Sequence, residues 1–167
     1  MKLKIALVAA ALGLLATGTA QAQVEWGLRG GFRFGDPEQL VIGAQANVAE
    51  VAENLRFVPM VDFGFMDDVL ILTGNGDFQY HLVDSELGTL GHPYLLAGIA
   101  IVYFNFDLNC EGFSEPFRSA CEDASTSTDV AFNFGGGIES DEGWFGEFRA
   151  TVEDGSFFQI AIGKTFN

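Results

Sequence analysis

The sequence predicts an all-β fold, an eight-stranded antiparallel up-and-down transmembrane β-barrel preceded by a cleaved signal peptide. Three observations carry this. A short apolar run at the N-terminus ends in a small-residue cleavage site. The remainder alternates apolar and polar residues with period two, in eight segments separated by turn residues. No later segment is long and apolar enough for a transmembrane helix, so a chain of this pattern that enters a membrane must satisfy its backbone as a closed barrel.

The N-terminus reads as an export signal. Lys2 and Lys4 supply the positive start, Ile5 to Leu15 is too short to cross a bilayer, and Ala20-Gln21-Ala22 is the cleavage site. Gly13 and Gly18 interrupt the run and no stop-transfer charge follows, which argues against an anchor helix. Residues 1–22 are expected to be removed, leaving 23–167 as one barrel domain. No linker, low-complexity tract or tandem repeat divides it.

The clearest alternation opens the mature chain. Val24, Trp26, Leu28, Gly30, Phe32 and Phe34 share one face, and Glu25, Gly27, Arg29, Gly31 and Arg33 the other. Leu40 to Ala49 sets Ile42, Ala44, Ala46 and Val48 against Gln45 and Asn47. Leu55 to Phe65 sets Phe57, Val61, Phe63 and Phe65 against Arg56 and Asp62. Leu70 to Leu82 sets Leu72, Phe78, Tyr80 and Leu82 against Thr73, Asn75, Asp77, Gln79 and His81. Pro93 to Phe106 is apolar on both faces; Tyr94, Leu96, Val102, Phe104 and Phe106 are assigned outward, with Tyr103 and Asn105 inward. Asp129 to Glu139 sets Val130, Phe132, Phe134 and Ile138 against Asn133. Trp144 to Val152 sets Trp144, Phe148 and Val152 against Glu147 and Arg149. Ser156 to Phe166 sets Phe158, Ile160, Ile162 and Phe166 against Gln159 and Thr165. Breakers such as Gly35-Asp36-Pro37, Glu50 to Asn54, Asp67-Asp68 and Ser140 to Gly143 separate the segments, and Asp107 to Thr128 is the one long loop. Each segment is close to the roughly 9–11 residues a tilted strand needs to cross a bilayer.

Charge decides which face meets lipid. The chain has 8 basic and 23 acidic residues, a formal −15, which excludes nucleic acid as a partner through its phosphates. On the polar strand faces, however, the charges balance: Arg29, Arg33, Arg56 and Arg149 against Glu25, Asp62, Asp77 and Glu147. The acidic excess lies in turns and the long loop. A soluble lipocalin-like barrel would turn that polar face to water and have no reason to keep it neutral. A narrow lumen would, because an unpaired buried charge is costly. Aromatic positions agree. With both ends on one side, Trp26, Phe57, Tyr80, Tyr94, Trp144 and Phe166 fall near one interface, and Phe34, Phe65, Phe104 and Phe158 near the other. Two such girdles are what a transmembrane barrel displays.

Several segments carry a family resemblance. They are the signal, Gly43 to Asn47, Pro93-Tyr94 with Ala97-Gly98, Gly135-Gly136-Gly137 and the closing Gly163-Lys164-Thr165-Phe166. With these the mature chain resembles the small eight-stranded outer-membrane barrels of the outer membrane protein A, W and X and opacity-protein type, also described as porin-family or outer-membrane β-barrel domain proteins. The resemblance implies residence in the outer membrane as a monomer, in contact with its lipid. It also implies insertion by the barrel assembly machinery, which reads the last strand. That signal usually ends on an aromatic residue, whereas here Asn167 follows Phe166. Many such barrels carry several long external loops for adhesion; this chain has one.

Candidate chemistry is sparse, and neither a catalytic centre nor a cofactor is expected. Asp77 and His81 share a strand face with Ser85 just beyond, but lipid-modifying barrels that use Ser, His and an acid place them toward lipid, and this pair is assigned to the lumen. Asp107, Glu111, Glu115, Glu122, Asp123 and Asp129 are oxygen donors of the type Ca²⁺ prefers, without any regular spacing, so a solvated acidic loop is the simpler reading. Cys110 and Cys121 are expected to form a disulfide, since export implies an oxidising compartment. Function thus narrows to a structural or surface-interaction barrel with a plugged, charge-balanced lumen, with a narrow channel for ions or small solutes as the alternative.

Overall fold

Each alternating segment becomes a strand because it shelters one face and gives its backbone N–H and C=O groups to neighbours on both sides. The computed structural model describes residues 24–66, 69–82, 91–106, 126–152 and 156–166. They form β1 (Glu25–Phe34), β2 (Gln39–Asn47), β3 (Ala49–Ala52), β4 (Leu55–Met66), β5 (Val69–His81), β6 (His92–Phe106), β7 (Thr126–Glu139), β8 (Trp144–Val152) and β9 (Phe157–Phe166). The expected signal peptide, Ser85, Cys110, Cys121 and the loop acids from Asp107 to Asp123 lie outside the described residues.

The strands pair antiparallel in the order β2-β1-β9-β8-β7-β6-β5-β4-β3, and β2 also pairs with β4, from Leu40↔Phe65 to Gln45↔Met60. That last ladder closes the sheet. β2 and β3 fill one position in the ring, interrupted at Val48, so the barrel has eight positions and no open edge. β1 meets β9 through Trp26↔Phe166, which puts the start of the first strand and the end of the last at one mouth, the terminal mouth. Asn54 (φ 63°) and Gly143 (φ 81°) take the left-handed backbone that the tight turns there require. β1, β4, β6 and β8 end at the opposite, distal mouth.

The polarity of the wall is inverted relative to a soluble protein. Trp26, Leu28, Phe32, Ile42, Phe63, Leu95, Ile99, Phe132, Phe134, Phe148, Ile160 and Ile162 are exposed on the outside, while Arg29, Arg33, Asp62, Asp77, Glu147 and Arg149 are buried inside. Burying a large apolar side chain is worth about 1.5–3 kcal/mol, so such a belt is built for lipid rather than water. At the terminal mouth the outward aromatics are Trp26 against Phe166 (centroids 5.0 Å apart), Phe57 against Phe78 (5.2 Å), Tyr80 and Trp144. Phe34, Phe65 and Phe158 are outward at the distal mouth.

Three expectations are corrected. The first concerns β6, whose faces are reversed. Tyr94, Leu96, Ala100 and Val102 are buried inward and Leu95, Ile99 and Ile101 are exposed outward, so Tyr94 is not an interface aromatic. Phe104 is likewise turned in, packed on a buried apolar cluster, which leaves Tyr103 outward with Ile101. The reason is room. Asp77 of β5 faces Gly98, and Ala100 faces Ala131 of β7, so the small residues of β6 must take the crowded inner face. Second, the strand before the Asn54 turn extends through β3, because its backbone pairs with Leu55 to Phe57 whatever its side chains. Third, β7 begins at Thr126 and not Asp129, since Thr126 to Thr128 extend the ladder with Tyr103 to Asn105.

Candidate functional site

The inward faces converge on one charged cluster. Arg29 of β1 donates from Nη2 to Glu147 Oε1 of β8 at 2.8 Å, and its Nε lies 3.4 Å from Asp62 Oδ1 of β4. Arg149 of β8 reaches Asp77 Oδ2 of β5 at 2.7 Å, Glu147 Oε1 at 2.9 Å and Asp62 Oδ2 at 4.0 Å. The Tyr94 hydroxyl donates to Glu147 Oε2 at 2.9 Å. None of these ion pairs between different strands, nor the Tyr94–Glu147 bond, joins neighbours in the ring, and β4 and β8 stand opposite each other. The pairs therefore cross the lumen and occupy it. Met60 lies between the two guanidinium groups, its sulfur 3.0 Å from Arg29 Nη1 and 2.9 Å from Arg149 Nη2.

Neutral polar groups extend the cluster. Asn133 donates to Asn75 Oδ1 (2.8 Å) and Asp77 Oδ1 (3.0 Å) and accepts from Thr151 Oγ1 (2.9 Å). Gln159 donates to Asp62 Oδ2 at 3.1 Å and accepts from Arg33 Nη2 at 3.4 Å. Arg33 also donates to Thr73 Oγ1 at 3.0 Å and rests on the Phe157 ring, 4.3 Å from its centroid. Phe157 in turn belongs to an apolar cluster with Ile71, Ala100, Val102 and Ala131, flanked by Val69 and Phe104. The lumen is thus filled twice: by charge in its middle and by hydrocarbon toward the distal mouth.

Glycine makes the charged layer possible. Asp62 faces Gly43 and Asp77 faces Gly98 across adjacent strands, and in both places a Cβ would collide with the carboxylate. These glycines hold space for side chains, as a close approach inside a strand demands.

Five of the eight expected network residues, Arg29, Asp62, Asp77, Glu147 and Arg149, meet in the central cluster, and Arg33 joins it through Gln159. Two lie elsewhere. Arg56 is part-exposed at the terminal mouth, 3.6 Å from Glu139 Oε2, and Glu25 accepts from Asn47 Nδ2 at 3.2 Å. Both line a vestibule of about 550 Å³ at that mouth, with Glu50, His81, His92 and Glu139. The expected partnership of His81 with Asp77 does not form. Asp77 is taken by Arg149 and Asn133, while the His81 ring packs against Tyr94, with centroids 5.4 Å apart. Tyr94, Met60 and Glu139 were missed by sequence reasoning. Their signal was position: Tyr94 stands opposite His81, Met60 stands opposite Gln45 and Asn75, and Glu139 shares the alternation face of Asn133.

No family model and no curated protein sequence matches the chain. Solved structures do. The N-terminal β-barrel domain of Pseudomonas aeruginosa OprF superposes with a TM-score of 0.51 at 16% identity, covering 85% of this chain and 97% of that one. Neisserial surface protein A gives a TM-score of 0.54 at 13% identity, covering 85% and 94%. The fold is that of a small outer-membrane barrel. Identities this low carry the architecture alone.

Proposed function

We propose that this protein is an outer-membrane barrel with a structural or surface-interaction role, its lumen closed to steady flow. The observation that carries the reading is the inversion of its wall: apolar outside, with charge buried and cross-linked inside. Outer-membrane lipid is then the partner of the wall, and the last strand, β9, is the element offered to the assembly machinery. A monomer suffices, because closure through β2 and β4 needs no second chain. The role is non-catalytic: Asp77, the acid that an enzyme reading would use, is committed to Arg149 and Asn133. Cell fractionation tests the reading. The protein is expected in the outer membrane, migrating faster on gels before heating than after, as a closed barrel does. Recovery only in the soluble periplasmic fraction would end it.

A further inference from the structure

The outward face of the strands has one charged exception among the described residues. Along β9 the outward positions are Phe158, Ile160, Ile162, Lys164 and Phe166. Lys164 sits in the terminal-mouth girdle, opposite Leu28 of β1 and Trp144 of β8. Its Nζ lies 5.1 Å from the centroid of the Trp144 ring, and the Trp26–Phe166 pair is one step further along the same ladder. Among the described residues its ammonium makes no ion pair, although the turn from Ser140 to Gly143 supplies Asp141 and Glu142 to the same rim. A charge left on a lipid-facing wall is expensive unless its stem lies along apolar surface and its head reaches the interface. The tryptophan rings mark that depth.

We propose that Lys164 and Trp144, beside Trp26 and Phe166, form a headgroup-level site for the phosphate of an anionic phospholipid in the leaflet around the terminal mouth. This rests on the membrane reading of the wall. Charge complementarity selects the occupant: the chain as a whole is formally −15, and here one cation, without an ion pair among the described residues, stands in an aromatic frame. A zwitterionic lipid offers the same phosphate together with an ammonium that Lys164 repels.

The chain provides its own reporter. Its two tryptophans, Trp26 and Trp144, both lie in this girdle. The refolded barrel is placed in mixed vesicles containing either brominated phosphatidylglycerol or brominated phosphatidylcholine at equal mole fraction, and tryptophan quenching is compared. Wild type is expected to favour the anionic lipid about fivefold at low salt, the effect of one lysine near an anionic surface, and Lys164→Gln to lose most of that preference. Equal quenching by the two lipids in wild type, or an undiminished preference in Lys164→Gln, overturns the site. Quenching by neither lipid has a different meaning, since it removes the membrane reading on which the site rests.

Discussion

The inward face of β5 passes through two solutions to one problem. From the distal mouth it presents Val69, Ile71, Thr73, Asn75, Asp77, Gln79 and His81 in turn. At Ile71 the lumen is filled by hydrocarbon from β5, β6, β7 and β9. At Asp77 it is filled by ion pairs that reach across to β8. Both fillings obey the same constraint, an eight-stranded interior just wide enough for side chains. They differ in what they tolerate. The apolar half has no directional partners, so small volume changes are absorbed locally. The ionic half joins strands that do not touch, and each charge is a condition for another. Burial in such a network does not by itself imply net stability, but removing one member strands the rest.

That contrast can be broken at graded points. Arg149→Met leaves Asp77 and Glu147 short of a partner and is expected to cost roughly 3–5 kcal/mol in urea unfolding of the vesicle-embedded barrel. The double variant Arg149→Met/Asp77→Asn should cost less than the sum of its singles, because the removed groups were one pair; additivity would show that the pair does not couple. Gly98→Ala drives a Cβ into the Asp77 carboxylate and the Gly76 carbonyl, an overpacking expected to cost about 1–3 kcal/mol by the same assay. In the apolar half, Ile71→Val should cost only about 0.5–1.5 kcal/mol. Arg56→Ala should cost least, under about 1 kcal/mol, since its pair with Glu139 is part-exposed at the vestibule. A loss at Arg56 as large as at Arg149 would contradict the division between mouth and network.

Most strands were legible because alternation has period two and one charged residue fixes a whole face: Arg29 and Arg33 orient β1, Asp77 orients β5, Arg149 orients β8. β6 had no such marker between His92 and Phe106, and its bulky residues fall on both sides. Its orientation is set by register against Asp77 and Ala131, which belong to other strands. The small residues Gly98 and Ala100 were the local clue. The charges destined for the lumen were legible as a balanced set, but not their height along it. Arg56 alternates just as Arg29 does, yet stands one residue after Leu55, where β4 begins, and so reaches only the mouth. The apolar half was hidden for a related reason. Ile71 and Phe157 lie on polar strand faces, and apolar residues there read as irregularities until neighbouring strands bring them together.

On the proposed reading the two fillings close the barrel from within, and wild-type protein reconstituted in planar bilayers puts this to the test. The network across β1, β4, β5 and β8 and the cluster around Ile71 and Phe157 predict little or no steady conductance. Large, stable, ohmic openings of the wild-type barrel would contradict the account and make the lumen a channel.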